Sequence, residues 1–137
     1  MNKKSGQQKK FEEVTTRVET LYEGKIISLH LEHVLLPNGQ PAVREIVRHP
    51  GAVAILALDG DRMIVVEQYR TALGRSQVEI PAGKLEPGED PLTAAKRELE
   101  EETGYKCSNI RHIASFYTSP GFADELMHLY LAEGLTR

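Results

Sequence analysis

Apolar and polar residues alternate through the first third of the chain, which predicts a small antiparallel β unit over residues 13–49. VTTRVETL and IISLHLEHVLL are its first two strands, and AVREIVR is the third. The Asn38-Gly39 pair between the second and third strands is a strong hairpin signal. His49-Pro50-Gly51 then breaks the pattern, and we place there the boundary to a second domain over residues 50–137.

The second domain opens on an unbroken apolar run, AVAILAL (52–58), which predicts a strand that is covered on both faces. MIVVEQYR (63–70) follows a turn and predicts a returning strand. A short strand is expected at 78–80, before a loop that is rich in proline and glycine. Two more strands are predicted later in the chain, at 110–119 and 126–132.

One helix is predicted between the loop and these last strands, and its ends are well marked. The Asp90 carboxylate can accept hydrogen bonds from the free N–H groups of the first turn. Pro91 suits the first helical position, and Gly104 suits the left-handed position just after the end. The helix should therefore run from Pro91 to Thr103.

Glutamates crowd the end of this helix, where Glu98, Glu101 and Glu102 fall within an arc of about 100°. Ala94 lies along the same arc, beside a predicted buried stripe of Leu92, Ala95 and Leu99. Each like-charge pair costs about 0.2–0.5 kcal/mol in an isolated helix, and the helix dipole adds to this cost. A solvated acidic face is one interpretation. A divalent cation would relieve the repulsion, and carboxylates suit Mg²⁺ or Mn²⁺ better than zinc.

Composition excludes several classes of protein. The 137 residues carry a net charge of −3, which gives no general attraction to nucleic acid or to anionic membranes. Residues 1–12 begin with the basic and polar segment MNKKSGQQKK, which predicts a disordered tail. No apolar segment follows it, so it is not a secretory signal. The single cysteine, Cys107, excludes an internal disulfide and indicates a reducing, cytoplasmic location. His112 and His128 fall in predicted strands, where packing is the commoner role of a lone histidine.

The segment from Gly83 to Tyr105, GKLEPGEDPLTAAKRELEEETGY, resembles the Nudix box of hydrolases that cleave nucleoside diphosphates linked to another group. One position departs from the pattern, because Tyr105 stands where the family usually has Ile, Leu or Val. The matching positions have the family's fixed spacing; they are Gly83, Glu89, Arg97, Glu98, Leu99, Glu101, Glu102 and Gly104.

This resemblance implies roles for individual residues. Glu98, Glu101, Glu102 and the backbone carbonyl of Ala82 would hold one to three Mg²⁺ or Mn²⁺ ions, which position the pyrophosphate and activate water. Glu89 and Arg97 would pair and tie the loop to the helix. Gly83 would let the backbone turn tightly toward the metals.

Further marks resemble the ADP-ribose pyrophosphatase subfamily. These are Pro120, sixteen residues after Gly104, with SPGFADE around it, together with EQYR and VEIPAGKLEPGE. The resemblance implies hydrolysis of ADP-ribose to AMP and ribose 5-phosphate. It also implies further substrate-binding candidates, each with an ordinary surface role as the alternative: Arg70, Arg44, Arg48, Glu79 and Glu125.

The resemblance implies an α/β fold, a Nudix-type α/β/α sandwich with a mixed sheet, preceded by the N-terminal antiparallel unit. It also implies a homodimer in which that unit reaches the partner subunit. No second helix is predicted after 126–132, and no residue is a convincing general base. We therefore expect a C-terminally truncated form, or another chain that covers the bare face of the sheet.

Two other functions stay open at this point. The chain could hydrolyse another nucleoside diphosphate derivative, such as a sugar nucleotide, a dinucleoside polyphosphate or NADH. It could also be a non-catalytic module that binds ADP-ribose, although such a module has no need for three mutually repelling glutamates.

Overall fold

The computed structural model describes residues 10–137, which form two compact units. The first unit contains the described residues up to His49 together with Ser119–Asp124, and the second contains Pro50–Thr118 and Glu125–Arg137. Of the tail predicted for residues 1–12, residues 1–9 lie outside the described part. None of the helices within residues 10–137 is long and apolar enough to cross a membrane.

The first unit is a three-stranded antiparallel sheet in the order β1-β2-β3, formed by β1 (Val14–Glu23), β2 (Ser28–Leu35) and β3 (Pro41–Arg48). The predicted hairpin joins β2 to β3. Gly39 adopts a φ of 85° there, and its N–H donates to the Leu36 carbonyl at 2.8 Å. Gly39 thus supplies the left-handed backbone of this turn.

The second unit is built on a mixed sheet. Its elements are β4 (Ala52–Asp59), β5 (Arg62–Met63), β6 (Val66–Arg70), β7 (Arg75–Glu79), β8 (Ala82–Lys84), α1 (Pro91–Thr103), β9 (Lys106–Tyr117) and β10 (Leu126–Thr136). The sheet order is β5-β4-β10-β9, and β8 also pairs with β4. β10 runs parallel to β4 and antiparallel to β9, so the predicted mixed α/β architecture is confirmed.

Several strand limits differ from the sequence prediction. The segment 63–70 is not one strand, because β5 pairs with β4 whereas β6 pairs with β7 in a separate hairpin. β8 lies in the segment that was predicted to be loop. β9 begins before residue 110 and β10 continues beyond residue 132. Hydrogen bonding to a partner strand decides these limits, and a local pattern does not contain that partner.

The core lies between β4, β10 and α1. Residues 52–55 and 57 of β4 are all buried, which confirms a strand covered on both faces. One part of the helix prediction is wrong, since Leu92 is 36% exposed whereas Ala94 is fully buried. The core-facing stripe runs through Ala94, Ala95 and Leu99, because two small alanines let the helix backbone approach the sheet. Glu98 consequently lies next to the core.

The predicted helix limits are confirmed by its caps. The Asp90 carboxylate accepts a hydrogen bond from the Thr93 N–H at 3.1 Å, and Pro91 occupies the first turn. Gly104 has a φ of 78° and donates its N–H to the Glu100 carbonyl at 2.8 Å. α1 is therefore closed at both ends by local sequence.

Candidate active site

Two glutamates of α1 contact the short strand β8. The Glu98 carboxylate lies so close to Gly83 that a Cβ atom at position 83 would overlap it. Glu102 Oε1 accepts a hydrogen bond from the Ala82 N–H at 3.3 Å. The Glu98 carboxylate thus fits only because Gly83 has no side chain. Together, β8 and α1 form one wall of a candidate site.

Arg97 ties the loop before the helix to the helix itself. Its Nε donates to Glu89 Oε2 at 2.9 Å and its Nη2 donates to Glu89 Oε1 at 3.0 Å, so the predicted Glu89–Arg97 pair is present. The Glu86 N–H also donates to Glu89 Oε1 at 3.0 Å. These contacts, first of all the bond from Arg97, lower the pKa of Glu89. A charge-assisted bidentate pair of this kind fixes the loop geometry.

The same guanidinium also faces the acid cluster. Arg97 Nη1 donates to Glu98 Oε2 at 3.2 Å and to Glu101 Oε1 at 3.1 Å. Burial raises the pKa of Glu98, the charge of Arg97 opposes this, and the charges of Glu102 and Glu101 raise the pKa further. Burial is therefore the main reason that the pKa of Glu98 is raised, and the charge of Arg97 offsets it only in part.

The donor set fits a hard divalent cation. Within residues 10–137, no three His, Cys, Asp or Glu side chains converge in an arrangement ready to hold a metal ion. Glu98 and Glu101 instead share Arg97 Nη1, and Glu102 bonds to the backbone of β8. The carboxylate oxygens of these three glutamates are nevertheless the kind of ligand that Mg²⁺ and Mn²⁺ prefer.

Arg70 and Glu79, predicted as separate substrate-binding candidates, bind each other in the β6–β7 hairpin. Arg70 Nε donates to Glu79 Oε2 at 2.9 Å, and Arg70 Nη2 donates to Glu79 Oε1 at 2.5 Å. This pairing lowers the pKa of Glu79 and raises that of Arg70, and the charge of Glu102 also contributes to the shift at Arg70. The Arg70 guanidinium is therefore within electrostatic reach of the acid cluster.

Two glutamines of this hairpin were missed by the sequence analysis. Gln68 Oε1 accepts from Arg70 Nη2 at 3.1 Å, and Gln77 Nε2 donates to Glu79 Oε2 at 3.2 Å. Gln68 and Gln77 are cross-strand partners on the face that carries Arg70 and Glu79. The alternation of side chains along a strand would have pointed to them, but only once the β6–β7 pairing was known.

The remaining candidates have partners within their own units. In the first unit, Arg44 Nη2 donates to Glu13 at 2.7 Å, and Arg48 donates to Glu32 at 2.7 Å and to Asp124 at 3.3 Å. Pro120 lies in the Ser119–Asp124 loop of that unit. In the second unit, Glu125 accepts from the Thr118 hydroxyl at 2.8 Å. The acid cluster of α1 belongs to the second unit, so these residues are not all gathered within one unit.

Comparison with known proteins decides the family. The model of the NUDIX domain matches residues 47–136, a segment that contains β4 to β10 and the whole acid helix. This chain belongs to the Nudix family. It is a pyrophosphohydrolase, and the wall formed by β8 and α1 carries its Nudix box.

The alignments with three similar proteins cover most of the length of this Nudix chain. It is 58% identical to the methanol dehydrogenase activator of Bacillus methanolicus, over 94% of this chain and 70% of that protein. It is 56% identical to the ADP-ribose pyrophosphatase of Bacillus subtilis (strain 168), over 93% of this chain and 70% of that protein. A crystal structure of an ADP compounds hydrolase shares the fold, with a TM-score of 0.81 and 22% identity, over 91% of this chain and 69% of that chain.

The unusual tyrosine of this Nudix box has a packing role. Tyr105 is half-buried against the core that contains Leu99 and Ile55. The Arg137 guanidinium lies 4.7 Å from the centre of its ring, a cation–π distance. An aromatic ring thus fills the position where the family usually has an aliphatic residue, and it provides a surface for the arginine as well.

Proposed function

We propose that this Nudix protein hydrolyses the pyrophosphate of ADP-ribose to AMP and ribose 5-phosphate. The observation that carries the proposal is the acid helix against Gly83, in a chain that is 56% identical to an ADP-ribose pyrophosphatase. That relationship favours ADP-ribose over the sugar nucleotides, dinucleoside polyphosphates and NADH that other family members could accept.

In this proposal, Glu98, Glu101, Glu102 and the Ala82 carbonyl hold Mg²⁺ or Mn²⁺. When bound, such ions neutralise the charge on the pyrophosphate, orient it and favour ionisation of the attacking water. The residues of the chain itself hold the carboxylates in place. Gly83 leaves room for Glu98, and Arg97 keeps the loop and the helix together through Glu89.

Arg70 is the proposed phosphate-binding residue. Its Nε and Nη2 atoms bind Glu79, so the guanidinium is already oriented before a substrate arrives. A planar, pre-oriented guanidinium loses little conformational entropy when it binds a phosphate oxygen. Glu79 would therefore act by positioning Arg70, and Gln77 Nε2 also donates to Glu79 Oε2 at 3.2 Å.

The test is hydrolysis of ADP-ribose by the purified chain, with and without Mg²⁺, followed by chromatography of AMP. Glu102→Gln removes one metal-binding charge and should lower kcat by about a hundredfold or more, because that charge acts on the transition state. Glu100→Gln is the matched control, since the Glu100 side chain on the same helix is 54% exposed. This control should stay within about twofold of the wild-type rate.

The possible results separate the candidate functions. A wild-type rate in Glu102→Gln would show that the carboxylate platform is not catalytic. Faster hydrolysis of a sugar nucleotide or of NADH than of ADP-ribose would show that the proposed substrate is wrong. Binding of ADP-ribose without any turnover, measured by calorimetry, would favour the non-catalytic binding module.

We also infer that the chain is a cytoplasmic homodimer. Residues 13–49 would serve dimerisation and substrate binding, and residues 50–137 catalysis. β1 exposes several large apolar side chains, among them Val14, Val18, Leu21 and Tyr22, and a partner subunit would cover them. Light scattering after size exclusion should give twice the chain mass, and Val18→Glu should reduce it to the monomer mass. A wild-type monomer would contradict the dimer.

A second candidate function comes from the Bacillus methanolicus relative, which is named as an activator of methanol dehydrogenase. At 58% identity, we propose that the present chain could stimulate such a dehydrogenase. Adding the chain to purified methanol dehydrogenase and following the initial rate tests this. Stimulation that disappears with Glu102→Gln would link the activation to hydrolysis. An unchanged dehydrogenase rate with the wild-type chain would exclude the activator function.

A further inference from the structure

Two histidines and a serine form a cluster outside the Nudix box. His112 lies on β9 and His128 on β10, which are neighbouring antiparallel strands of the second unit. Ser115 Oγ is 2.7 Å from His112 Nε2 and 2.7 Å from His128 Nδ1. The centres of the two imidazole rings are 6.4 Å apart. Two ring nitrogens therefore point toward one small volume.

The hydrogen-bond chemistry of the cluster leaves a lone pair facing this volume. A serine hydroxyl has one proton, so it can donate to only one of the two nitrogens that contact it. When both rings are neutral, the nitrogen that accepts this proton carries no hydrogen of its own, and the other nitrogen donates to Oγ. The second ring can present a lone pair too by exchanging its proton between its two nitrogens.

The geometry is close to that of a chelating histidine pair. Because each nitrogen is 2.7 Å from Ser115 Oγ, the two nitrogens are separated by at most twice that distance. Two imidazoles on one tetrahedral ion, with bonds of about 2.0 Å, have nitrogens about 3.3 Å apart. Rotations of the His112 and His128 side chains would bring the two nitrogens to this separation.

The surroundings hold one ring in place and leave room for water. The buried ring of Tyr130 meets His112 edge-on, with centroids 5.5 Å apart and an interplanar angle of 74°. His112 and Ser115 are exposed and His128 is half-buried. An ion bound to both nitrogens would therefore complete its coordination with water.

We propose that His112 and His128 form a binding site for a divalent transition metal such as Zn²⁺ or Cu²⁺. Imidazole nitrogen favours these ions, whereas Mg²⁺ and Mn²⁺ favour oxygen ligands, so this site and the carboxylate platform select different metals. The site does not depend on the proposed hydrolase function. The expectation that each histidine merely packs treated it as alone, but the β9–β10 pairing places the two side by side.

The test is metal binding by the full chain, read out in two ways. Electron paramagnetic resonance of the Cu²⁺-loaded chain should show coupling to two nitrogen nuclei, which carboxylate ligands cannot produce. Zn²⁺ calorimetry should show a site whose Kd weakens by about tenfold or more in His112→Asn and in His128→Gln, because chelation by two nitrogens is lost.

The matched control is His30→Gln in the first unit. His30 also contacts a serine hydroxyl, that of Ser28 at 2.7 Å, but its other ring nitrogen contacts the Thr20 hydroxyl at 3.1 Å. This variant should leave Zn²⁺ affinity unchanged.

A gain-of-affinity variant keeps the test decisive even where a histidine variant folds poorly. Ser115→Asp places a carboxylate between the two nitrogens and should tighten Zn²⁺ binding by about tenfold or more, since it adds a third ligand. Coupling to fewer than two nitrogens in the wild-type chain would overturn the proposal. Wild-type Zn²⁺ affinity in His128→Gln, or no tightening in Ser115→Asp, would overturn it as well.

Discussion

At the scale of single residues, the most constrained contact of the candidate site joins a glycine to a carboxylate. Gly83 has no side chain, and the Glu98 carboxylate occupies the space that a side chain would need. Arg97 holds the neighbouring glutamates with one nitrogen and Glu89 with the other two. The motif thus combines a space requirement with a charge requirement, and each can be tested by a single substitution.

Gly83→Ala should lower kcat for ADP-ribose by about a hundredfold, because displacing Glu98 by about 1 Å is enough to misplace a catalytic group. Gly60→Ala is the control. Its added Cβ meets nothing within 4 Å, but its φ of 64° makes the substitution strained. It should cost about 1–2 kcal/mol of unfolding free energy and leave kcat unchanged. Equal activity of Gly83→Ala and wild type would contradict the proposed role of this contact.

At the scale of elements, the orientation of α1 determines which of its residues face the core. The helix contacts the sheet through Ala94, Ala95 and Leu99, while Leu92 in the same helix is 36% exposed. Glu98 lies one turn after Ala94, so the acid cluster borders the core. That position explains why burial is the largest cause of the raised pKa of Glu98.

Leu99→Ala should lower the unfolding free energy by about 2–5 kcal/mol, because it opens a cavity in the core. Leu92→Ala removes the same atoms from the same helix at a partly exposed position and should cost less than about 1.5 kcal/mol. Urea denaturation of both variants measures the difference. Equal losses would mean that the helix is rotated from the orientation described above.

The Arg70–Glu79 pair in the β6–β7 hairpin should make the unfolding free energy of the chain depend on pH. The pKa of Glu79 lies below its ordinary value of 4.5, so the pair stabilises the fold above pH 4.5 and loses that contribution as the pH falls further. Urea midpoints measured at pH 7 and pH 3 should therefore differ less in Glu79→Gln than in wild type. Glu67→Gln, an exposed position on the opposite face of the hairpin, should keep the wild-type difference.

At the scale of the whole molecule, the acid cluster that the proposed function requires lowers the free energy of unfolding as long as no ligand is bound. The chain has 20 acidic and 17 basic residues, yet three of the acids lie together beside the core with one arginine among them. A ligand that binds only the folded state adds its binding free energy to stability. The metal proposed for catalysis should therefore also stabilise the fold.

Mg²⁺ at ten times its Kd should raise the unfolding free energy by about 1.4 kcal/mol, which corresponds to about 5 °C in Tm. Glu102→Gln should remove most of this increase, and Glu100→Gln should retain it. Differential scanning calorimetry with and without Mg²⁺ measures both without any substrate. A metal-dependent increase of the same size in Glu102→Gln would contradict the role of Glu102 as a ligand.

Features that depend only on neighbouring residues could be predicted from the amino-acid sequence alone. Asp90, Pro91 and Gly104 set both ends of α1, and Asn38-Gly39 set the β2–β3 hairpin, because caps and tight turns are local interactions. The fixed spacing of the Nudix box identified the family and predicted the Glu89–Arg97 pair.

Features that depend on the pairing and packing of elements became visible only in the folded chain. It split residues 63–70 between two partners, turned Leu92 outward and Ala94 inward, and paired Arg70 with Glu79. It also brought His112 and His128 to one hydroxyl group. Strand pairing and helix packing depend on the element that lies opposite, and a local pattern of apolar and polar residues carries no information about that partner, even where it follows as closely as β7 follows β6.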